Sequence, residues 1–532
     1  MTCDRRTILR TGLLAGGAIG AGLGLGGCDS GLLRVPSDAP RLVPLRSRCP
    51  LPAPYSRELP VVPVRRPDAG GRLTLTQRTA SAEILPGMST EIYGYDGIFP
   101  GPTIEARRGS PVHLAVRNDL AVPTSTHLHG GVTPPDSDGG PLDLIVPPGF
   151  DAAVLDEAMS AGHSAMGSHH HGRHGVPWRL HESSRTYRYP MVQDSALLWY
   201  HDHRMDFTGP QVWRGLAGMF LIRDDTEDGL ELPRDDRELL LCLTDRAFDE
   251  DGQLLYPARD PELLRTPGVE DTFMNGVIGD VMLVNGAPCP RTTVARGRYR
   301  LRLLNACNAR QLSLRLNPGA GPDLPLTLIG SDLGLLRAPV EVETIDLAPA
   351  ERVDLLVDFS VLPAGTRVEM RNADPGGLER ILAFDVAGGV ETVPPAPAVL
   401  KEDFVTLDPA EAVAERTFDF RLAGDHLWTI NGEPYDPWGS SASPRSGTVE
   451  RWTFTSDFDH PVHVHLGHFQ VVFDRNGETG PSKRGWKDTV RVTPYGVVEV
   501  LVTFPRFRGL YMLHCHNLEH EDMAMMANFT VV

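Results

Sequence analysis

Nineteen histidines scattered at random over 532 residues would give about one His-x-His pair. This chain carries His127-x-His129, His201-x-His203, His463-x-His465 and His514-x-His516, besides one inside a His-rich run. On a β-strand, residues i and i+2 project to the same face, so each pair offers two imidazoles side by side. A single such pair would be read as core or surface histidine. Four pairs flanked by strand-like sequence supply eight nitrogen donors, more than one metal ion accepts, and point to a cluster with room for about three ions.

The run His514-Cys515-His516-Asn517-Leu518-Glu519-His520-Glu521-Asp522-Met523-Ala524-Met525 adds a second kind of site. Cys515 lies between paired histidines, so on a strand its side chain points the opposite way. Cys515, His520 and Met525 are thiolate, imidazole and weak axial thioether, the donor set of a blue copper centre; zinc rarely takes Met. A second imidazole is needed. His460 supplies it, because in His460-Pro461-Val462-His463-Val464-His465 an offset of three from His463 puts it on the other face. The parity of strand positions thus sorts the donors into a sulfur-ligated mononuclear site and an all-imidazole cluster. His514 and His516 flank Cys515 directly, so only a few covalent bonds separate the two. Such a pairing suits one-electron oxidation at the first copper and storage of electrons at the cluster. Four coppers together hold the four electrons that reduce O2 to two waters without release of peroxide.

Strands must position these residues, and short alternating runs recur, such as Val112-His113-Leu114-Ala115-Val116 and Val498-Glu499-Val500-Leu501-Val502. Turn clusters bound them, in the pattern of an all-β sandwich protein. Gly 54 and Pro 46 agree with a turn-rich chain. Val284-Asn285-Gly286-Ala287-Pro288 leads to Tyr299-Arg300-Leu301-Arg302, and Ile430-Asn431-Gly432-Glu433-Pro434 leads to Glu450-Arg451-Trp452-Thr453, an internal repeat of hairpin and following strand. Phe99-Pro100-Gly101-Pro102 through Asn118 reads as a more diverged third copy. Three β-domains are expected over residues 65–225, 235–395 and 405–532, with linkers around Asp224–Asp236 and Val393–Val399.

Before them, Arg5-Arg6 and an apolar, Gly-rich stretch from Gly12 to Gly27 read as an export signal over residues 1–28, too short for a stable membrane helix. The adjacent arginines resemble a twin-arginine signal, and Leu25-Gly26-Gly27-Cys28 resembles a lipoprotein cleavage site with Cys28 as the lipidated residue. Residues 29–64, rich in Pro and Arg, read as a tether. The expected location is therefore the cell envelope or the exterior. The net charge of −18 argues against nucleic acid as a partner. Pairing among Cys49, Cys242, Cys289 and Cys307 stays open.

The motifs His127-Leu128-His129-Gly130, Trp199-Tyr200-His201-Asp202-His203, His460-Pro461-Val462-His463-Val464-His465 and His514-Cys515-His516 resemble those of multicopper oxidases. Within that family the chain is similar to the bacterial spore-coat laccase and bilirubin oxidase group, from about Gly94 to the C-terminus. The resemblance implies three cupredoxin-like Greek-key β-sandwich domains, with a trinuclear cluster between the first and third. It implies four coppers per chain: type 1 on His460, Cys515, His520 and Met525, type 2 on His127 and His463, and the type 3 pair on His129, His201, His203, His465, His514 and His516. Asp138 and Glu521 match the family's acidic residues on the proton and O2 route. Their alternative readings are a solvated loop acid and a capping acid.

With Met as axial ligand, easily oxidised donors are expected: phenols, aminophenols, aromatic amines or a bilin. A cuprous-ion oxidase and a non-catalytic copper carrier are the competing readings. The first expects a Met-rich cover that Met523, Met525 and Met526 are too few to form, and the second has no use for eight further histidines. O2 and a small aromatic reductant are the expected partners, and a monomer the expected state. His163, His169, His170, His171, His174 and His181, with Met159 and Met166, read as an exposed loop that binds metal only incidentally, or as a copper-gathering tract. His113, His426 and His468 read as structural.

Overall fold

In a computed structural model of the protein, the described residues are 42–162, 176–374, 378–390, 394–424, 427–475 and 480–532. The export signal with Cys28, His163, His169, His170, His171, His174, Met166 and His426 lie outside them. Pro40–Val532 form one unit. It is built from strands, arranged as three sandwiches.

In the first sandwich, Thr90–Tyr95, Arg72–Ala82, Val112–Asn118 and Ser184–Tyr189 make one sheet, and Val64–Arg65, Gly101–Arg107, Ala217–Arg223, Ala196–Asp202 and Thr126–His129 the other, each in that order. The third sandwich pairs Leu427–Ile430, Ala412–Ala423, Val449–Ser456, Val497–Thr503 and His468–Asp474 with a sheet of Thr489–Val492, His460–Val464, Gly509–Cys515 and Met526–Val531. The middle one packs a seven-stranded sheet on a five-stranded sheet.

The internal repeat is visible as topology. In each sandwich a long first strand runs parallel to a later one: Arg72–Ala82 beside Val112–Asn118, Glu238–Arg246 beside Arg298–Asn305, and Ala412–Ala423 beside Val449–Ser456. A hairpin intervenes. Asn285 and Gly286 (φ 52° and 86°), like Asn431 and Gly432 (φ 57° and 80°), occupy the left-handed conformation that a two-residue hairpin turn needs. In the first sandwich that turn is Asp96-Gly97 (φ 55° and 72°), where the Ile98 amide donates to the Tyr95 carbonyl. The diverged third copy therefore begins before Phe99-Pro100-Gly101-Pro102, because Asp can take the place of Asn in this turn.

Residues 42–64 are not a free tether. Leu45, Arg48, Tyr55 and Leu59 donate backbone hydrogen bonds to Ile278, Phe248, Cys289 and Arg291 at 2.7–2.8 Å, and Val64–Arg65 pairs in parallel with Thr103 and Ile104. A Pro-rich extended chain has few amides to satisfy, and these bonds tie it along the body of the protein. Cys49, Cys242, Cys289, Cys307 and Cys515 are all free thiols.

Ordinary strands alternate. Val449–Ser456 buries Glu450, Trp452, Phe454 and Ser456 and leaves the residues between them partly exposed. The strands bearing the histidine pairs do not: Thr126–His129, Ala196–Asp202 and His460–Val464 are buried throughout. One face of each packs on its own sandwich core and the other meets a neighbouring sandwich. Leu128, Leu198 and Tyr200 belong to the first core, and Val462, Val464, Tyr511, Leu513 and Cys515 to the third. The histidines take the positions between.

Candidate metal centre

The ten candidate histidines are between 0 and 2% exposed and fall into two groups. In the register of the third sandwich, Val462 pairs with Cys515 and His463 with His514. Thiol and imidazole thus leave opposite faces of one strand.

On the core side, His460 Nδ1 lies 3.4 Å from Cys515 Sγ, His520 Nδ1 3.6 Å from the same sulfur, and the two Nδ1 atoms 3.2 Å apart. Met525 is fully buried in the same core, and its backbone is pinned on both sides: its amide donates to the His520 carbonyl at 3.0 Å and its carbonyl accepts from the Cys515 amide at 3.1 Å. The Asn517 amide points at Cys515 Sγ at 3.4 Å, a donor that steadies a thiolate. Asn517 Nδ2 is 3.2 Å from His520 Nε2, and the Trp428 ring stacks on His520 at 3.8 Å. Burial pushes the free Cys515 thiol well above its usual range and the two imidazoles below theirs. A metal ion reverses that for the sulfur, since coordination deprotonates it.

On the other side, the outward faces of the first and third sandwiches meet. His203, His465 and His514 form one convergent group, with His465 Nε2 at 3.3 Å from His203 Nε2 and 3.2 Å from His514 Nε2. His129, His201 and His516 form another, their ring centroids 5.0–5.8 Å apart. His127 and His463 lie 5.6 Å apart between the groups. His127 and His201 are partners on adjacent strands of one sheet of the first sandwich, which sets the first sandwich's share of this arrangement.

The hydrogen bonds fix which nitrogen each ring offers. His127 Nδ1 donates to the Asp138 carbonyl at 2.6 Å, His201 Nδ1 to the Asp202 carbonyl at 2.7 Å, and His463 Nδ1 to the Asp488 carbonyl at 2.9 Å. Their Nε2 atoms are buried without a partner. A ring whose one nitrogen is held as N–H presents a bare lone pair on the other, which is what a metal ligand requires. His129 is turned the other way: Nε2 lies 3.1 Å from Asp488 Oδ1 and 3.0 Å from Thr489 Oγ1, and Nδ1 is the unpartnered atom. Burial, reinforced by neighbouring imidazoles, drives His127, His129, His201, His463, His465 and His516 well below the usual histidine range, so they are neutral. These six neutral imidazoles, with His203 and His514 beside them, face one buried space and fit a cluster of copper ions.

Two acids touch this chamber. Asp138 Oδ2 accepts from His465 Nδ1 at 2.7 Å, and burial raises its carboxyl to about 7. Neither Asp138 nor Glu521 is solvated; they are 4% and 1% exposed. Glu521 Oε1 lies 3.0 Å from His203 Nδ1 and Oε2 3.1 Å from His514 Nδ1. Burial opposes its charge, but His203 and His514 hold it well below the usual carboxylate range. A cavity of about 430 Å3, lined by Asp138, Asp143, Tyr435, Tyr511 and Met512, adjoins the chamber on the Asp138 side.

Spacing did not reveal Asp488, Thr489, Asn517 or Trp428, which act through the candidate ligands. Of the outlying histidines, His181 is engaged by Asp143 at 2.9 Å, His468 faces the Gly130 carbonyl at 3.3 Å, and His113 is exposed.

Two family models, each described as multicopper oxidase, match residues 408–532 and residues 76–152 with 169–227. A laccase of Bacillus subtilis is 33% identical over 82% of this chain and 89% of its own length. A bilirubin oxidase of Albifimbria verrucaria is 30% identical over 89% and 81%. The crystal structure of a laccase from Pediococcus acidilactici superposes with a TM-score of 0.76 at 29% identity, covering 92% of this chain and 96% of that one. The chain belongs to the multicopper oxidases, copper-dependent oxidoreductases that use O2 as acceptor, in their laccase-like group.

Proposed function

We propose that the protein is a laccase-type oxidase with four coppers per chain: type 1 on His460, Cys515, His520 and Met525, type 2 on His127 and His463, and type 3 on the remaining six histidines. The observation that carries this reading is the single strand on which Cys515 faces one donor set while His514 enters the other. Copper there supplies one-electron oxidation of a donor and four-electron reduction of O2. The chain's own residues do the rest. Cys515 and its flanking histidines provide a covalent path between the sites. Burial of both donor sets excludes water. Asp138, near neutrality and bonded to His465, holds and passes a proton beside the cluster. Glu521, held as a carboxylate, fixes the rings of His203 and His514 through their Nδ1 atoms and offers a proton acceptor beside them.

The expected donors are phenols, aminophenols, aromatic amines or a bilin, oxidised singly. Copper analysis with a visible spectrum tests the reading: about four coppers per chain and a strong thiolate band support it. Oxygen uptake with a phenol, an aminophenol and Cu(I) in parallel separates it from a cuprous oxidase, which would favour Cu(I), and from a carrier, which would consume no oxygen. Export through the twin-arginine signal, a lipid anchor at Cys28 and a monomeric state complete the proposal. If Cys28 is lipidated, Cys28→Ala releases the protein from membranes; unchanged fractionation removes the anchor.

A further inference from the structure

The middle sandwich contributes no histidine to either donor set, yet one of its side chains reaches the edge of the cluster. Arg352, at the start of the strand Arg352–Asp358, is fully buried. Its guanidinium grips both oxygens of Asp488, Nη1 on Oδ1 at 2.8 Å and Nη2 on Oδ2 at 2.5 Å. The remaining donors go to the carbonyls of Leu197, Ala350 and Asp332 at 2.9–3.1 Å. Leu197 lies on the strand Ala196–Asp202, which carries His201, and Asp488 lies in the third sandwich. One side chain therefore ties together all three sandwiches.

Asp488 in turn faces two candidate ligands. Its Oδ1 is 3.1 Å from His129 Nε2, and its carbonyl accepts from His463 Nδ1 at 2.9 Å. Asp488 also converges with His129 and His463 closely enough to be a metal donor itself. Its two oxygens are already taken by a planar, permanently charged fork. That leaves it to act on the rings rather than on the ion. The backbone is shaped for this approach: at Gly130 (φ 82°) a Cβ would stand 2.4 Å from Asp488 Oδ2 and 2.8 Å from Arg352 Nη2. A buried carboxylate is costly without a paired counter-charge, and Arg352 supplies it.

We propose that Arg352 is a positioning residue of the trinuclear cluster: by holding Asp488 it fixes the ring of His129 with Nδ1 turned toward the metal. The type 1 site, on the opposite face of its sheet, does not depend on it. This rests on the four-copper assignment above.

The test is copper content and spectroscopy on purified full-length Arg352→Met and Arg352→Lys, with the thiolate band as internal standard for the folded third sandwich. The expected result for Arg352→Met is an unchanged thiolate band per chain, copper falling from about four to about two, and loss of the magnetic coupling of the type 3 pair. Arg352→Lys keeps a cation but cannot bridge both oxygens, and is expected to fall between. Full copper and intact coupling in both variants overturns the proposal. So does a thiolate band that falls in step with cluster copper in both, because the arginine would then serve stability alone. A wild-type protein lacking four coppers would instead refute the assignment on which the proposal stands.

Discussion

His127, His201 and His463 each commit Nδ1 to a backbone carbonyl, and a carbonyl cannot release the ring when the ion leaves. The chamber is therefore preorganised largely by main chain, and Asp138 and Glu521 are carboxyls that touch its rings directly. Glu521→Gln keeps the shape but removes the charge between His203 and His514. Oxygen consumption is expected to slow by about 100-fold with the thiolate band intact, since one positioned acid contributes that much or more; steady-state oxygen uptake with a phenol checks it. The candidate ligands were legible in the sequence because a strand has a period of two, so His460, Cys515 and the paired histidines declare their faces by number alone. Asp488, Thr489 and Arg352 were not legible. They touch the rings across sandwich boundaries, and no spacing along the chain encodes a contact between residues 352 and 488.

At the scale of elements, the loop from Asp136 to Gly140 brings Asp138 under two ligands at once, and Gly139 lets it do so. Its φ is 76°, and a Cβ there would stand 2.0 Å from the Thr126 carbonyl. Gly139→Ala is expected to push Asp138 off His127 and His465, costing roughly 2–4 kcal/mol from strain and clash together. Chemical denaturation and the copper content of the purified variant measure it. The hairpins Asn285-Gly286 and Asn431-Gly432 were readable because their turn demands left-handed residues. The Asp96-Gly97 turn was passed over for the Pro-Gly-Pro cluster beside it. The ligand-bearing strands hid their alternation, since burial on both faces erases the polar half of the pattern. Residues 42–64 depart from the expected tether for a related reason: a Pro-rich segment looks the same in sequence whether it dangles or lies along a sheet edge.

Across the whole molecule, buried polar ties join the sandwiches. Asn308 Nδ2 donates to the Gly209 carbonyl at 3.0 Å and to Glu519 Oε1 at 2.8 Å, spanning first, middle and third. Asn308→Ala leaves both acceptors short and is expected to cost about 1–3 kcal/mol, seen as a lower thermal midpoint. Asp206 sets a pH dependence. Burial raises its carboxyl from 3.8 to about 8, with Arg204 opposing the rise. A raised acid gives its full stability below the unfolded value and loses it as pH climbs through the folded one. Its penalty thus grows between about pH 4 and pH 8. Asp206→Asn keeps the positive φ of 70° that Asn tolerates. It is expected to stabilise the protein at pH 8 by on the order of 1–3 kcal/mol and to change little at pH 4, as thermal melts at the two pH values will show. Finally, rings that are at most 2% exposed leave a chelator nothing to grasp. Once loaded, the cluster should surrender its ions only when the sandwiches part. Stripping by a chelator is then expected to proceed at a rate set by that breathing and to be indifferent to chelator concentration. The seam between sandwiches would be the timer on how long the enzyme stays armed.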